Sequence, residues 1–338
     1  MKKILIIVPY FGAFPSYFRE WAFTAGFLKE QAIDFLLITD NSIEFELPDN
    51  IRVYKLTFEE LKNHIQNKFD FKIELIKPYK LCDFKPVFGY IFEKEVQGYD
   101  FWGNCDIDQV WGDVRSFVTD DILNRFDRVY YLGHLTLYRN TPAMNRLFRQ
   151  PGAIYDYKRV FSDTMHYSFC EHSGVMRIVA QNGVSNYIKT DQADLSPRYT
   201  RMIVSRRKNY DYQILYWENG HVFRSFIDRD GTVGRDEFIY FHFQKKSPKS
   251  LRCWEQDALP ERIIYHADGF TEDRAVPVTA EYIRKNSDFI SQHYDRKENR
   301  KYICLKIKTF VHSPIRKKTL WLKQKTVSDV ELRKVLDE

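Results

Sequence analysis

Residues 4–8 form an unbroken apolar run closed by Pro9, the pattern of a strand covered on both faces of a parallel sheet. Between residues 16 and 30, Phe18, Trp21, Ala22, Ala25 and Leu28 recur at helical spacing and predict an amphipathic helix. A second apolar run, Ile33–Thr39, ends in Asp40-Asn41, and residues 51–56 alternate as a third strand. Thr57 and Glu60 then have the spacing of a capping box, in which each satisfies an amide at the start of the next helix. Residues 81–96 read as mostly helical despite Pro86, with Gly98 placed to end the segment. Residues 99–105 return to strand, 113–124 to helix and 128–132 to strand. Strands alternating with helices predict an α/β fold with a parallel, right-handed, doubly wound sheet. No GxGxxG follows the first strand, so the common dinucleotide fingerprint is absent.

Past residue 140 the pattern loosens. Residues 212–217 and 221–226 flank Glu218-Asn219-Gly220, and Asn-Gly predicts a hairpin. Residues 238–243 form a further apolar strand leading to Gln244-Lys245-Lys246, and 279–293 reads as a helix. Neither an internal repeat nor a low-complexity linker interrupts the chain. The expected partition is 1–140, 141–270 and a C-terminal appendage, 271–338.

The polar positions that break this pattern most sharply are Asp106 and Asp108, delivered by a strand and separated by Ile107. In an extended segment, residues i and i+2 project to one side, so both carboxylates can converge on one ion. Mg²⁺ or Mn²⁺ prefers hard oxygen ligands and keeps positions open for phosphate oxygens. A bare DxD arises readily by chance, and this chain carries a second, Asp228-Arg229-Asp230, beside Gly231. That one has the composition of a hairpin tip, whereas Ile107 is expected to turn back into the core.

Composition sharpens little else. Aromatic residues make up 16% of the 338 residues, which serves either a Phe-rich core or flat surfaces for sugars and bases. A net charge of +6 is mild, and no RNA-binding motif accompanies it, so nucleic acid is not an expected partner. The five cysteines form an odd set with no CxxC, arguing against a disulfide framework or zinc cluster and for a reducing compartment. The start imitates a signal peptide, but Pro9 interrupts it and no cleavage site follows, so a first strand is expected there. The expected location is cytoplasmic, at the inner face of the cell membrane if the basic tail binds lipid.

The run YKLCDFKPVFGYIFEKEVQGYDFWGNCDID, with IIVPYFG before it and LGHLTLYRN after it, resembles bacterial capsule and lipopolysaccharide glycosyltransferases. The likeness spans most of residues 1–245. It implies a GT-A-like fold: a Rossmann-like, mostly parallel central sheet flanked by helices, joined to a mixed acceptor half. It also implies a nucleotide-sugar donor, by analogy UDP-galactose or UDP-glucose, with DxD-bound Mn²⁺ or Mg²⁺ and a glycan acceptor. Asp106 and Asp108 would be the metal motif, with Asp108 nearer the ion. Lys80, Asp83 and Lys85 resemble a motif that precedes the DxD, Asp83 facing the nucleoside and a lysine the phosphate or donor sugar; a solvated helix start is the other reading. Tyr10 and Phe11 would pack on the base or shape its loop, with core packing the stronger alternative for Phe11. His242 matches a late third metal ligand and Lys245 or Lys246 a diphosphate contact, although the glycine and tryptophan that follow the histidine in several related families are missing. His134, Arg139, Glu171 and His172 suit either a sugar pocket or satisfied core pairs, and Glu171 is the carboxylate an inverting transfer would use as base.

A different metal-dependent nucleotide enzyme, a nucleotidyltransferase or phosphohydrolase, would share this scaffold and differ in its product. A non-catalytic scaffold protein using the basic tail is the third class. In residues 301–325 lysines and arginines interleave with Phe310, Leu320, Trp321 and Leu322, which suits either an anionic lipid surface, and so a lipid-linked acceptor, or a helix packed on the core. Deleting residues 301–338 should lower liposome co-sedimentation more than activity on a soluble acceptor. Unchanged co-sedimentation would remove the membrane contact.

Overall fold

A computed structural model describes residues 1–199, 201–244, 260–267 and 269–288, together with 300, 303 and 304. The lysines at 245 and 246, the basic segment 301–325 and the end of the helix expected over 279–293 therefore lie largely or wholly outside the described residues.

The main sheet has seven strands in the order β3-β2-β1-β4-β7-β6-β8. These are β1 (Ile4–Pro9), β2 (Ile33–Thr39), β3 (Ile51–Lys55), β4 (Phe101–Cys105), β6 (Arg128–Leu132), β7 (Leu135–Arg139) and β8 (Asn186–Tyr187). Strands β3, β2, β1 and β4 run parallel, β7 is antiparallel to both β4 and β6, and β6 pairs parallel with β8. The sheet is therefore mixed and mostly parallel. Its apolar runs arise because both faces are covered. Leu5, Ile7, Leu36 and Ile38 enter one core with Leu61, Phe84, Phe88 and Phe161. Their neighbours Ile4, Ile6, Val8, Phe35 and Leu37 enter another, with Phe18, Trp21, Ala22 and Ala25 of helix α1 (Phe18–Gly26). Fully burying each valine, leucine, isoleucine or phenylalanine among them contributes roughly 1.5–3 kcal/mol.

Local signals hold where they are chemical. Thr57 accepts from the Glu60 amide at 3.2 Å and the Glu60 carboxylate accepts from the Thr57 amide at 2.7 Å, forming a capping box on helix α2 (Phe58–Gln66). Asn219 and Gly220 have φ of 49° and 85°, as a two-residue hairpin requires, between β10 (Gln213–Glu218) and β11 (His221–Ile227). The second DxD is a hairpin tip: Asp228 accepts from the amides of Asp230 and Thr232, before β12 (Val233–Phe238). Two helical expectations shrink. Residues 81–96 form a 3₁₀ segment, Pro78–Val87, and one short turn, Phe88–Ile91, because Pro86 cannot donate to a regular ladder. The helix expected over 113–124 is only Asp120–Arg125, capped by Thr119.

Two further sheets complete the chain. Strands β12, β11, β10, β14 (Arg262–Tyr265) and β15 (Phe270–Asp273) form an antiparallel sheet. A small sheet joins β5 (Gln109–Trp111), β13 (Tyr240–His242) and β9 (Ala193–Asp194). Val110, Ala193 and Phe241 of the small sheet pack against Leu215, Trp217 and Ile263 of the five-stranded one. No helix among the described residues is long and apolar enough to cross a membrane.

Within β4, Gly103 lets β7 lie close: a Cβ there would meet the Thr136 carbonyl oxygen and the Leu137 side chain at 2.6 Å. Gly103→Ala should lower stability by about 1–3 kcal/mol, the usual cost of overpacking, measured by urea denaturation. A loss well under that range would mean the strands are free to separate.

Candidate metal centre

Strand β4 ends at Cys105, and the chain then bends through Asp106, Ile107 and Asp108 into β5. This bend sits at the carboxyl end of the parallel strands, where open α/β sheets place their ligands. Ile107 is buried in the core with Val8 and Leu135, so the two aspartates face the other way and remain partly exposed.

The small sheet supplies the rest. His242 lies opposite Gln109 on one side and Asp194 on the other, and the Phe243 amide donates to the Asp108 carbonyl at 2.8 Å. This register sets His242 between two carboxylates, with Nδ1 2.8 Å from Asp194 Oδ1 and Nε2 3.4 Å from Asp108 Oδ1. Burial by itself would disfavour its charge, but hydrogen bonds to Asp108 and Asp194, reinforced by their charges, raise the imidazole to about 10. Asp194 is held below the usual carboxylate range, its burial outweighed by the His242 hydrogen bond. His134 stacks on His242 with ring centroids 4.1 Å apart and places Nδ1 2.7 Å from the Tyr240 hydroxyl. Burial, then the charge of His242, push His134 well below the ordinary histidine range, so it stays neutral.

Asp106 has its own cation. Lys85, from the 3₁₀ segment, donates to Asp106 Oδ1 and to the Gly133 carbonyl, the latter at 2.8 Å. Asn104 donates to the same carbonyl at 2.7 Å, while the Gly133 amide donates to Glu171 Oε1 at 3.1 Å. A Cβ at position 133 would stand 3.0 Å from that Glu171 oxygen, so a side chain there would press on the carboxylate. One peptide thus ties the metal-motif side of the site to Glu171. On the β1 side, burial and then the Asp108 charge raise the hydroxyls of Tyr10 and Tyr17 above the ordinary tyrosine range.

Among the described residues, two sets of side chains bring ligand atoms within 4.8 Å of one another: Asp106, Asp108 and His242, and His134, Asp194 and His242. The first fits a hard divalent ion better. It offers two carboxylates open to solvent, whereas in the second Asp194 and His134 already face His242 Nδ1 and Tyr240.

Several sequence expectations are corrected. Lys80 and Asp83 are both fully buried and pair at 2.9 Å. Lys80 also donates to the carbonyls of Val160 and Met165, and Asp83 accepts from the amides of Tyr167 and Phe169. With these groups spent inside the fold, neither reaches a nucleotide; the pair staples the loop carrying His166 and Glu171 to the 3₁₀ segment. Arg139 lies opposite Phe101, at the far end of β4 from Asp106, bound to Asp127 and to the carbonyls of Leu123, Asn124 and Phe126. It holds a helix end. Phe11 packs in the core, edge-on to Phe58, the stronger of its two sequence readings, and His172 is exposed with its ring near Tyr131. No spacing in the sequence marks Asp194, Asn104, Gly133 or Tyr17. A separate hollow of about 570 Å³, lined by Arg52, Tyr54, Lys94 and Tyr99, lies at the outer edge of the main sheet and contains none of these residues.

Residues 6–274 match the model described as a family of unknown function (DUF6625). No curated protein matches. Among solved structures, a glycosyltransferase involved in glycosylation of the major capsid of PBCV-1 is 9% identical with a TM-score of 0.25, covering 43% of this chain and 64% of that one. The galactosyltransferase LgtC, in complex with donor and acceptor sugar analogs, is 13% identical with a TM-score of 0.38, covering 87% of this chain and 99% of that one. An active-site mutant of LgtC is 13% identical with a TM-score of 0.34 at the same coverage.

Asp83→Ala should cost about 3–5 kcal/mol by leaving Lys80 buried without its partner, read by urea denaturation. Replacing both residues by apolar ones of similar size, Lys80→Met with Asp83→Leu, should recover part of that loss. An Asp83→Ala protein as stable as the original would argue against a staple.

Proposed function

We propose that this chain, which belongs to the family of unknown function DUF6625, is a metal-dependent glycosyltransferase. It would move a hexose from a nucleotide-sugar donor, UDP-galactose or UDP-glucose, to a glycan acceptor in bacterial surface-polysaccharide synthesis. The observation that carries this reading is the convergence of Asp106, Asp108 and His242 at the carboxyl end of a mostly parallel sheet.

Asp106, Asp108 and His242 would hold Mn²⁺ or Mg²⁺, which when bound would offset the charge that grows on a departing diphosphate. Asp194 would accept a hydrogen bond from His242 Nδ1–H and so leave Nε2 directed at Asp108, the arrangement that orients a ligating histidine. Lys85 fixes Asp106 from behind and keeps one positive charge at the site. Glu171 is held by the Gly133 amide through Oε1, and its carboxylate is partly exposed. An inverting transfer would use it to take the proton of the acceptor hydroxyl as that oxygen attacks the anomeric carbon. Tyr10, partly exposed beside Asp108, would border the base and ribose.

UDP should raise the melting temperature only with Mn²⁺ or Mg²⁺ present, and an equal rise in EDTA would count against a bridging ion. Asp108→Asn should abolish both that rise and sugar transfer from UDP-hexose without lowering the metal-free melting temperature. Asp194→Asn should weaken metal affinity about 10–100-fold, read by isothermal titration. Release of pyrophosphate or free phosphate in place of UDP would assign the other nucleotide chemistry.

A further inference from the structure

The 3₁₀ segment that brings Lys85 to Asp106 also carries Tyr79, and this side chain does something the site described so far does not use. Tyr79 is 63% exposed, although Leu81 and Phe84 in the same segment are buried. Its ring meets that of His166 with centroids 4.9 Å apart and planes at 52°. His166 sits on the loop that also carries Glu171, and its Nε2 lies 3.7 Å from Asp83. The buried Lys80–Asp83 staple therefore holds both rings in place: one ring belongs to each of the two segments it joins. The same two segments meet again at Gly133, where Lys85 and Glu171 bind one peptide. Tyr79 thus stands on the segment that supplies Lys85, with its ring against the loop that supplies Glu171. Electrostatics agrees with that position. The part of the side chain that is covered, then neighbouring Cys82, Cys170, Asp106 and Glu171, raise its phenol above the ordinary range.

We propose that Tyr79, backed by His166, is a stacking platform for a pyranose ring of the acceptor glycan, set so that an acceptor hydroxyl reaches Glu171. The choice of a glycan rests on the transfer reaction proposed above; the platform itself rests on the geometry. A pyranose has one face of C–H groups that packs on an aromatic ring and a polar rim that needs hydrogen-bond acceptors. An exposed tyrosine next to a partly exposed carboxylate offers both. Rigidity matters equally: because the staple fixes the backbone under both rings, the sugar would lose its freedom against a surface already ordered.

Saturation-transfer NMR on the full chain, with Mg²⁺ and UDP present and lactose, cellobiose and maltose as probes, tests this. The pyranose protons of at least one saccharide should receive saturation. Tyr79→Phe should retain the signal, and Tyr79→Ala should lose about five-fold or more of it with an unchanged melting temperature. Equal signals from Tyr79→Ala and the original protein would overturn the platform, as would silence from all three saccharides. A loss confined to the uridine protons would also overturn it, by making Tyr79 a surface for the base. If UDP fails to bind with Mg²⁺ while a saccharide signal depends on Tyr79, the platform stands and the transferase reading falls.

Discussion

Two carboxylates two positions apart on one bend cannot share a site without positive charge to hold them. At a separation near 4 Å, two like charges in a protein surface environment repel by about 4 kcal/mol. The fold answers with two cations from different directions. Lys85 approaches Asp106 from the 3₁₀ segment, and His242 approaches Asp108 from the small sheet. Each cation is itself anchored, Lys85 by the Gly133 carbonyl and His242 by Asp194. The acidic pair therefore exists in a defined geometry held by the chain's own groups. Under the proposed function a divalent ion would displace the Nε2 proton of His242, because a ligating imidazole is neutral.

The anchoring explains why so much polar chemistry is buried behind the site. Lys80 and Asp83 cost desolvation, yet with partners on both sides they lock a loop that has little regular structure of its own. That loop carries Glu171 and His166, while the 3₁₀ segment carries Lys85 and Tyr79. A proline-interrupted 3₁₀ stretch would be a poor support alone, since its hydrogen bonds are weaker than those of an α-helix. The buried ion pair and the peptide of Gly133 give it rigidity at two points.

Much of the site's core was readable because its chemistry is local. Ile107 between two aspartates foretold that the acids face away from the core, and the turn residues around Asp228 and Gly231 marked the second DxD as a hairpin tip. Motif position also picked out Lys85, His134 and Glu171, which the fold gathers around Gly133 and His242. Local pattern left Lys80, Asp83 and Arg139 open between a ligand and a structural partner. A charged residue looks the same in sequence whether it meets a ligand or a buried partner, and only the contacts tell them apart.

The chain by itself determined the doubly covered sheet, the capping box, the Asn-Gly hairpin and the paired acids at the end of β4. These follow from apolar periodicity and backbone preferences within a few residues. Tertiary structure alone decided that Asp194 would stand beside His242, that one glycine peptide would join Lys85 to Glu171, and that Arg139 would lie at the opposite end of the strand. Each of those depends on the register between segments 30 to 130 residues apart. Register is set by the packing of whole faces against one another, and no short stretch of residues records it.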